Sequence, residues 1–421
     1  MTDQPPPELR LGVVGVGQRA GLATLADRPG RARVVSCADP AERGRADART
    51  LFGPGVRLHE RYEDMLEDDL DAVFVMTPDD LHTAPALFFL EAGVAVFAEK
   101  PLAITLDDCD RVLATAARTH TRLYVGHNLR HLPVLRTMRR LVTEGAIGTV
   151  RAVWCRHFVG HGGDYYFKDW HAERARTTGL LLQKGAHDLD AIHWLAGGSA
   201  RTVTALGDLA VYGADTHRRS VPQGSRRVQD WFDEGVWPPS QLRDLNPVVD
   251  VEDISMVLTR LDNGVLTSYQ QCHFTPDYWR NYTVIGDEGR IENLGDGIEG
   301  DPPVVKVWNR RRSGYRPEAD RTLGAESAEG TESAESAEGT DAAHGGADQA
   351  LVDEFLRFVA HGAATDTSPV AAREAVATGI AATVSLRSGG TPVEVPALAP
   401  DLADYFARHQ PGSRGPAART S

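Results

Sequence analysis

Three short groups of residues carry side chains or backbone that could do chemistry. Residues 12–20 read Gly12-Val-Val-Gly15-Val-Gly17-Gln-Arg-Ala20, so Gly15-x-Gly17-x-x-Ala20 follows directly on an apolar run. A glycine at 15 permits a tight turn, and one at 17 lets a pyrophosphate approach the backbone. Ala20 still lets a following helix pack closely, with its N-terminal amides free to donate. About twenty residues on, Asp39 stands where a carboxylate can bind adenosine ribose hydroxyls and repel a 2′-phosphate. That favours NAD over NADP, and Arg43, one helical turn later, can soften the preference; Asp39 also fits a plain helix cap before Pro40. Next, Glu99-Lys100-Pro101 follows a strand-like run, at the edge where open α/β sheets hold ligands. Finally, in Gln183-Lys184-Gly185-Ala186-His187 the spacings of four and three let Gln183 and Lys184 share a helix face with His187. His187 is of the right type to exchange protons near neutral pH, as an alcohol oxidation requires. A metal reading of His187 with Asp190 and His193 lacks a second cluster to complete a shell, so no metal is expected.

These groups need a scaffold, and the patterning supplies two. Apolar runs at 9–14, 34–38, 72–76, 94–98 and 123–125 alternate with helical stretches such as 84–92 and 107–118, the grammar of βαβ units and a parallel sheet. After residue 130 the grammar changes. A helix at 132–142 leads to strand-like runs at 149–158, 202–211, 254–261, 265–273, 282–285 and 304–308, with a helix expected over 180–195. Asp262-Asn263-Gly264 and residues 286–289 read as hairpin turns. The expected fold is therefore an α/β Rossmann dinucleotide-binding domain over 8–128, then an α+β domain over 129–410 with a large, mostly antiparallel open sheet. Residues 212–249, long and rich in proline, read as an insertion near the site mouth. Helices at 350–360 and 371–387 close the chain.

The 421 residues are 42% hydrophobic and 25% charged, enough for sizeable cores without disulfides. Four scattered cysteines form no Cys-x-x-Cys pair, the N-terminal stretch resembles no signal peptide, and no apolar run approaches a membrane span. A cytoplasmic setting is the expectation. Lys plus Arg number 45 against 59 Asp plus Glu, a net charge of −14 that disfavours nucleic-acid and anionic-membrane partners. Half of that excess comes from seven acids between Glu326 and Asp348, in or beside a three-residue repeat of Ala, Glu, Ser, Gly and Thr. With no large apolar residue, 324–347 reads as a disordered acidic insertion.

The glycine loop, Asp39-Pro40, Thr77-Pro78-Asp79-Asp80-Leu81-His82, Glu99-Lys100-Pro101, Gly126-His127-Asn128-Leu129-Arg130 and the His187 helix together resemble the Gfo/Idh/MocA oxidoreductases. The resemblance spans almost the whole chain outside the acidic insertion and the ends. It implies pyrophosphate contacts from Gly15, Gly17, Gln18 and Arg19, and ribose contacts from Asp39. It implies a nicotinamide side lined by Thr77, Pro78 and His82, with Glu99 and Asn128 nearby. Lys100 is implied to bind the reacting hydroxyl and His187 to act as general acid/base. Members usually carry Asp four residues before that histidine; here Gln183, which cannot titrate, stands there beside Lys184. Members often carry Asn where Asp79 stands. Trp170, His171, Gln183, Lys184 and Tyr278 are the expected contacts of a carbohydrate-like substrate. The activity implied is an NAD(P)-dependent dehydrogenase or reductase of CH–OH groups on a sugar, cyclitol or derivative, in a homodimer or homotetramer. Two alternatives keep the dinucleotide: a glycosidase acting by transient oxidation and elimination, and a non-catalytic regulator, against which the presence of Lys100 and His187 argues.

Overall fold

Strands that must be buried on both faces read as unbroken apolar runs, and this chain uses them to build its first sheet. The computed structural model describes residues 8–220, 228–233, 235–298, 302–324 and 346–410; the acidic repeat at 325–345 lies outside them. β1 (Leu9–Val14), β2 (Ala32–Ala38), α1 (Glu42–Phe52), β3 (Arg57–His59), β4 (Ala72–Val75), α2 (Thr83–Glu91), β5 (Ala95–Ala98), α3 (Leu106–Thr119) and β6 (Leu123–Val125) follow in order. The six strands pair in parallel, in the order β3-β2-β1-β4-β5-β6. β4 (AVFV) and β5 (AVFA) are buried along their whole length. Order reverses between β1 and β4, which opens a crevice at the carboxyl ends of those strands. The segment after the glycine loop, Gln18–Leu25, winds as a 3-10 helix rather than an α-helix; Gly21 and Thr24 both weaken α propensity there.

α4 (Pro133–Thr143) then leads into β7 (Val150–Phe158), and three short helices, α5 (Gly162–Tyr166), α6 (Arg174–Thr177) and α7 (Leu180–Gln183), precede α8 (Gly185–Ala196). The single helix expected over 180–195 is thus interrupted at Lys184. A Cβ on Gly185 would stand 3.1 Å from the Tyr269 ring, so glycine lets the chain pass close to the sheet there. β8 (Ala200–Asp208), β9 (Ile254–Leu261), β10 (Leu266–Cys272), β11 (Trp279–Gly286), β12 (Arg290–Leu294), β13 (Val304–Trp308) and β14 (Arg321–Gly324) follow. α9 (Ala347–His361), α10 (Pro369–Arg387), β15 (Val393–Glu394) and α11 (Pro400–His409) complete the described chain. The second sheet has nine strands in the order β14-β13-β12-β11-β7-β10-β9-β8-β15, antiparallel except where β10 runs parallel to β7. Sequence patterning passes over β12 and β14, whose few apolar residues carry too little periodicity.

β9 alternates buried and exposed residues, the mark of a sheet covered on one face only. α8 and α10 cover that face, with Leu189, Ile192 and Ala381 packed against Val203, Val257 and Tyr269. α9 crosses back: Leu351, Val352 and Phe355 enter the core of the first sheet, where the Phe355 ring lies 5.1 Å from Phe74 and 5.3 Å from Phe97.

Candidate active site

The glycine loop leaves β1 at Gly15, whose amide donates to the Ala38 carbonyl at 2.9 Å. Gly15 has φ +83°, and a Cβ there would sit 2.9 Å from the Thr77 backbone nitrogen, so both conformation and space require glycine. No atom lies within 4 Å of the Cβ position of Gly17. Asp39 Oδ2 accepts from the Val16 amide and Oδ1 from the Ala41 amide, each at 2.8 Å, so this carboxylate ties the loop to the start of α1. Gly44 makes room for it, since a Cβ there would come 2.3 Å from the Asp39 carboxyl carbon. Arg19 turns inward. Its guanidinium lies 3.4 Å from Glu99 and 2.8 Å from Asp348 at the start of α9, and Asn128 donates to the other Asp348 oxygen at 2.8 Å.

At the ends of β4 and β5, His82 is fully buried, its ring nitrogens 2.7 Å from the Pro101 carbonyl and 2.8 Å from the Thr77 carbonyl. It joins the two loops that carry Thr77 and Lys100. Asp79 is 5% exposed and its Oδ2 has no hydrogen-bond partner among the described residues. Burial, with Glu99 and Asp80 adding to it against the pull of Lys100, pushes its carboxyl up to about 8. Burial likewise lowers the Lys100 ammonium from its usual range, against the opposing pull of Asp79. The Lys100 Nζ donates to the backbone carbonyl of Gln183 at 3.1 Å, which fixes the lysine beneath α7.

α8 is clamped from two sides. Asp190 receives a bidentate pair from Arg130 (2.7 and 2.6 Å) and lies 3.2 Å from His127, both just after β6. Asp188 reaches the second sheet: it lies 2.9 Å from His157 and 3.2 Å from Arg280, and accepts from Tyr269 at 2.9 Å and Tyr282 at 2.5 Å. Burial alone would raise both carboxyls, yet Arg280 and His157 at Asp188, and Arg130 and His127 at Asp190, hold them well below the carboxylate range. Asp190 is therefore committed to Arg130. His187, between the two clamps, is buried, and desolvation reinforced by Lys100 and Lys184 keeps its imidazole neutral well below 6.5. Its Nδ1 has no partner among the described residues.

One cavity of about 600 Å³ joins these parts. At one end it is walled by Gly15, Gly17, Gln18, Asp39 and Arg43. At the middle come Thr77, Pro78, Asp79, Glu99, Lys100 and Asn128, and at the far end Trp170, His171, Gln183, Lys184 and His187. Two of the expected site residues are not in this wall. His82 lies behind the loops, since both ring nitrogens face backbone carbonyls. Tyr278 is drawn away by Asp296, to which its hydroxyl donates at 2.5 Å. Tyr166 and Arg176, which the sequence did not single out within the 160–179 stretch, do line it: Tyr166 lies under the Lys184 Nζ (5.7 Å), and Arg176 lies over Trp170 (5.3 Å), which stacks on His171 at 3.8 Å. The Tyr165-Tyr166 pair five residues before Trp170 was the available signal.

A doubly wound parallel sheet with a glycine loop at its switch point, opening onto a buried lysine and a neutral histidine, defines an oxidoreductase of the dinucleotide-binding class. Two family models match this chain: "Oxidoreductase family, NAD-binding Rossmann fold" over residues 9–127 and "GFO/IDH/MocA C-terminal domain" over 135–292. The chain belongs to the Gfo/Idh/MocA oxidoreductase family. It is 27% identical over 275 residues to a 1,5-anhydro-D-fructose reductase of Ensifer adhaerens, covering 65% of this chain and 71% of that protein. It is 32% identical over 201 residues to inositol 2-dehydrogenase 2 of Saccharopolyspora erythraea, covering 47% of this chain and 56% of that one. A levoglucosan dehydrogenase solved with NADH and levoglucosan shares the fold, with a TM-score of 0.70, 18% identity and coverage of 93% of this chain and 100% of the other. No helix among the described residues is long and apolar enough to cross a membrane.

Proposed function

We propose that this enzyme binds NAD along the cavity and transfers hydride to or from a hydroxyl-bearing carbon of a sugar, cyclitol or related polyol. The observation that carries the reading is the meeting of Lys100, from the first sheet, with His187, from the second unit, in a cavity that begins at the glycine loop. The site fits a dinucleotide. Gly17 leaves open space, and Thr77 Oγ1, Glu99 Oε2 and Asn128 Oδ1 are buried acceptors or donors without partners among the described residues. Gly15, Gly17 and Gln18 would hold the pyrophosphate, Asp39 the adenosine ribose, and Thr77, Pro78, Glu99 and Asn128 the nicotinamide side. Arg19, already shared by Glu99 and Asp348, is assigned to binding the loop to α9. His82 is a positioning residue.

When bound, the nicotinamide supplies the hydride acceptor or donor. The neutral imidazole of His187 accepts the hydroxyl proton as carbonyl character develops, and returns it in the reverse direction. The Lys100 Nζ donates to the same oxygen and steadies its developing charge. Gln183 cannot titrate, so its contribution is the carbonyl that orients Lys100. The Trp170–His171 stack and Tyr166 offer faces to the C–H groups of a polyhydroxylated ring, the substrate type that the reductase and inositol dehydrogenase relatives name. Asp39 favours NAD over NADP by charge. Trp154, Leu206, Met256, Leu258 and Leu266 stand exposed on adjoining strands of the second sheet, an apolar face suited to a second copy in a dimer or tetramer. The four cysteines, all free thiols, fit a reducing, cytoplasmic setting.

The test is a thermal-shift titration with NAD and NADP, followed by a sugar and cyclitol panel read by reduced-dinucleotide absorbance. Lys100→Ala should bind dinucleotide and lose turnover. Undiminished turnover in that variant overturns the mechanism, and cleavage of aryl glycosides without net reduced dinucleotide overturns the net redox assignment.

A further inference from the structure

The adenosine end of the cavity is built partly by the second unit. Between β8 and β9 the chain makes a short 3-10 turn at Val228–Asp230, and the residues after it anchor that turn. The Trp231 indole donates to the Asp164 carbonyl at 2.9 Å, and Lys168, itself 2.7 Å from the Asp164 carboxylate, donates to the Trp231 carbonyl at 3.0 Å. The Phe232 ring packs 5.4 Å from Tyr165 and 5.0 Å from His161. From this anchorage Val228 is buried in the same end of the cavity as Asp39 and Arg43. Two residues on, Asp230 Oδ2 accepts from Arg43 Nη1 and Nη2 at 3.3 and 3.4 Å. Asp47 lies 4.0 Å from the other side of that guanidinium.

This arrangement bears on which dinucleotide enters, given the reading that Asp39 receives the adenosine ribose. In doubly wound sheets an acid at the end of the second strand binds the 2′-hydroxyl, whereas an arginine close by accommodates a 2′-phosphate. This chain has both: Asp39 directly follows β2, and Arg43 is in the first turn of α1. A 2′-phosphate would bring close to two negative charges into a corner lined by Asp39 and Asp47, where Arg43 is already paired with Asp230. We infer that Asp230 is a specificity-determining residue: held over α1 by the Trp231–Phe232 anchor, it occupies Arg43 and so weakens NADP binding relative to NAD. Arg43 is 44% and Asp230 33% exposed, so solvent screens the pair and the effect is graded.

The experiment measures dissociation constants for NAD and NADP with the wild-type chain, Asp230→Ala, Asp230→Asn and the double variant Asp230→Ala/Arg43→Ala. Both single variants should shift the NAD/NADP preference toward NADP by about three- to tenfold at low salt, and by less as salt is raised. The double variant should lose that gain, because the released cation is gone. Asp230→Asn keeps the side-chain shape, so a shared effect of both single variants reports charge and not a displaced strap. Unchanged preference in both single variants while NAD still binds overturns the inference and leaves the cofactor reading standing. A gain that persists in the double variant overturns it too. If the wild-type chain binds neither dinucleotide, the reading itself fails and the inference fails with it.

Discussion

Replacing Asp79 by Asn should make the dinucleotide-free protein more stable, by an amount that depends on pH. The carboxyl is 5% exposed, one oxygen lacks a partner among the described residues, and burial raises it from 3.8 to about 8. In the unfolded chain it ionises near its ordinary value. Between those two pH values the native state therefore binds the extra proton, and stability falls as pH rises. Each unit is worth about 1.4 kcal/mol, so at pH 7, about three units above the ordinary value, the penalty is on the order of 4 kcal/mol. Asn keeps the shape and carries no charge, so it escapes that penalty. The assay is thermal or urea unfolding of both proteins without dinucleotide, from pH 4 to pH 8. The two should coincide near pH 4, and the variant should gain stability steadily above it, reaching roughly 5 °C in Tm at pH 7. A difference independent of pH, or a wild type that is the more stable at pH 8, would refute the reasoning.

Turnover in the oxidation direction should show no acid limb near pH 6.5, because burial and the Lys100 and Lys184 charges keep His187 neutral well below that value; a kcat profile falling at 6.5 contradicts this. His187→Ala should lower kcat by roughly 10²–10⁴-fold while dinucleotide titration stays unchanged. Gly15→Ala forces a left-handed residue, costing roughly 1–2 kcal/mol, and drives a Cβ against the Thr77 backbone, so dinucleotide affinity should collapse in a direct titration. Phe355→Ala empties a site shared with Phe74 and Phe97 and should cost about 3–5 kcal/mol in urea unfolding, although residue 355 lies beyond β14 in sequence.

Much of the fold and of the candidate site was legible because these features depend on residue type at short spacing. The glycine loop, Asp39 and the lysine after β5 lie at strand ends, and apolar runs betray buried strands whatever surrounds them. The same local logic found β9 and β10 and the turn at 262–264. It failed where backbone pairing outweighs apolar pattern, as in β12 and β14, and where packing breaks a helix, as at Lys184. It also could not tell that both His82 ring nitrogens face backbone carbonyls, or that Asp296 draws Tyr278 away from the cavity.

By itself, then, the sequence determined a doubly wound sheet and a following open, mostly antiparallel sheet, and it singled out the glycine loop, Lys100 and His187 as candidates. Only the tertiary structure decided that these last two line one cavity, where Lys100 also reaches across 83 positions to the Gln183 carbonyl. It also decided that α9 returns to the first core, that Asp188 and Asp190 clamp His187 from opposite sides, and that Asp230 reaches Arg43 across 187 positions. The reason is physical: periodicity records which face of an element is buried, whereas the pairing of charges and the protonation of buried groups depend on what long-range packing brings against that face.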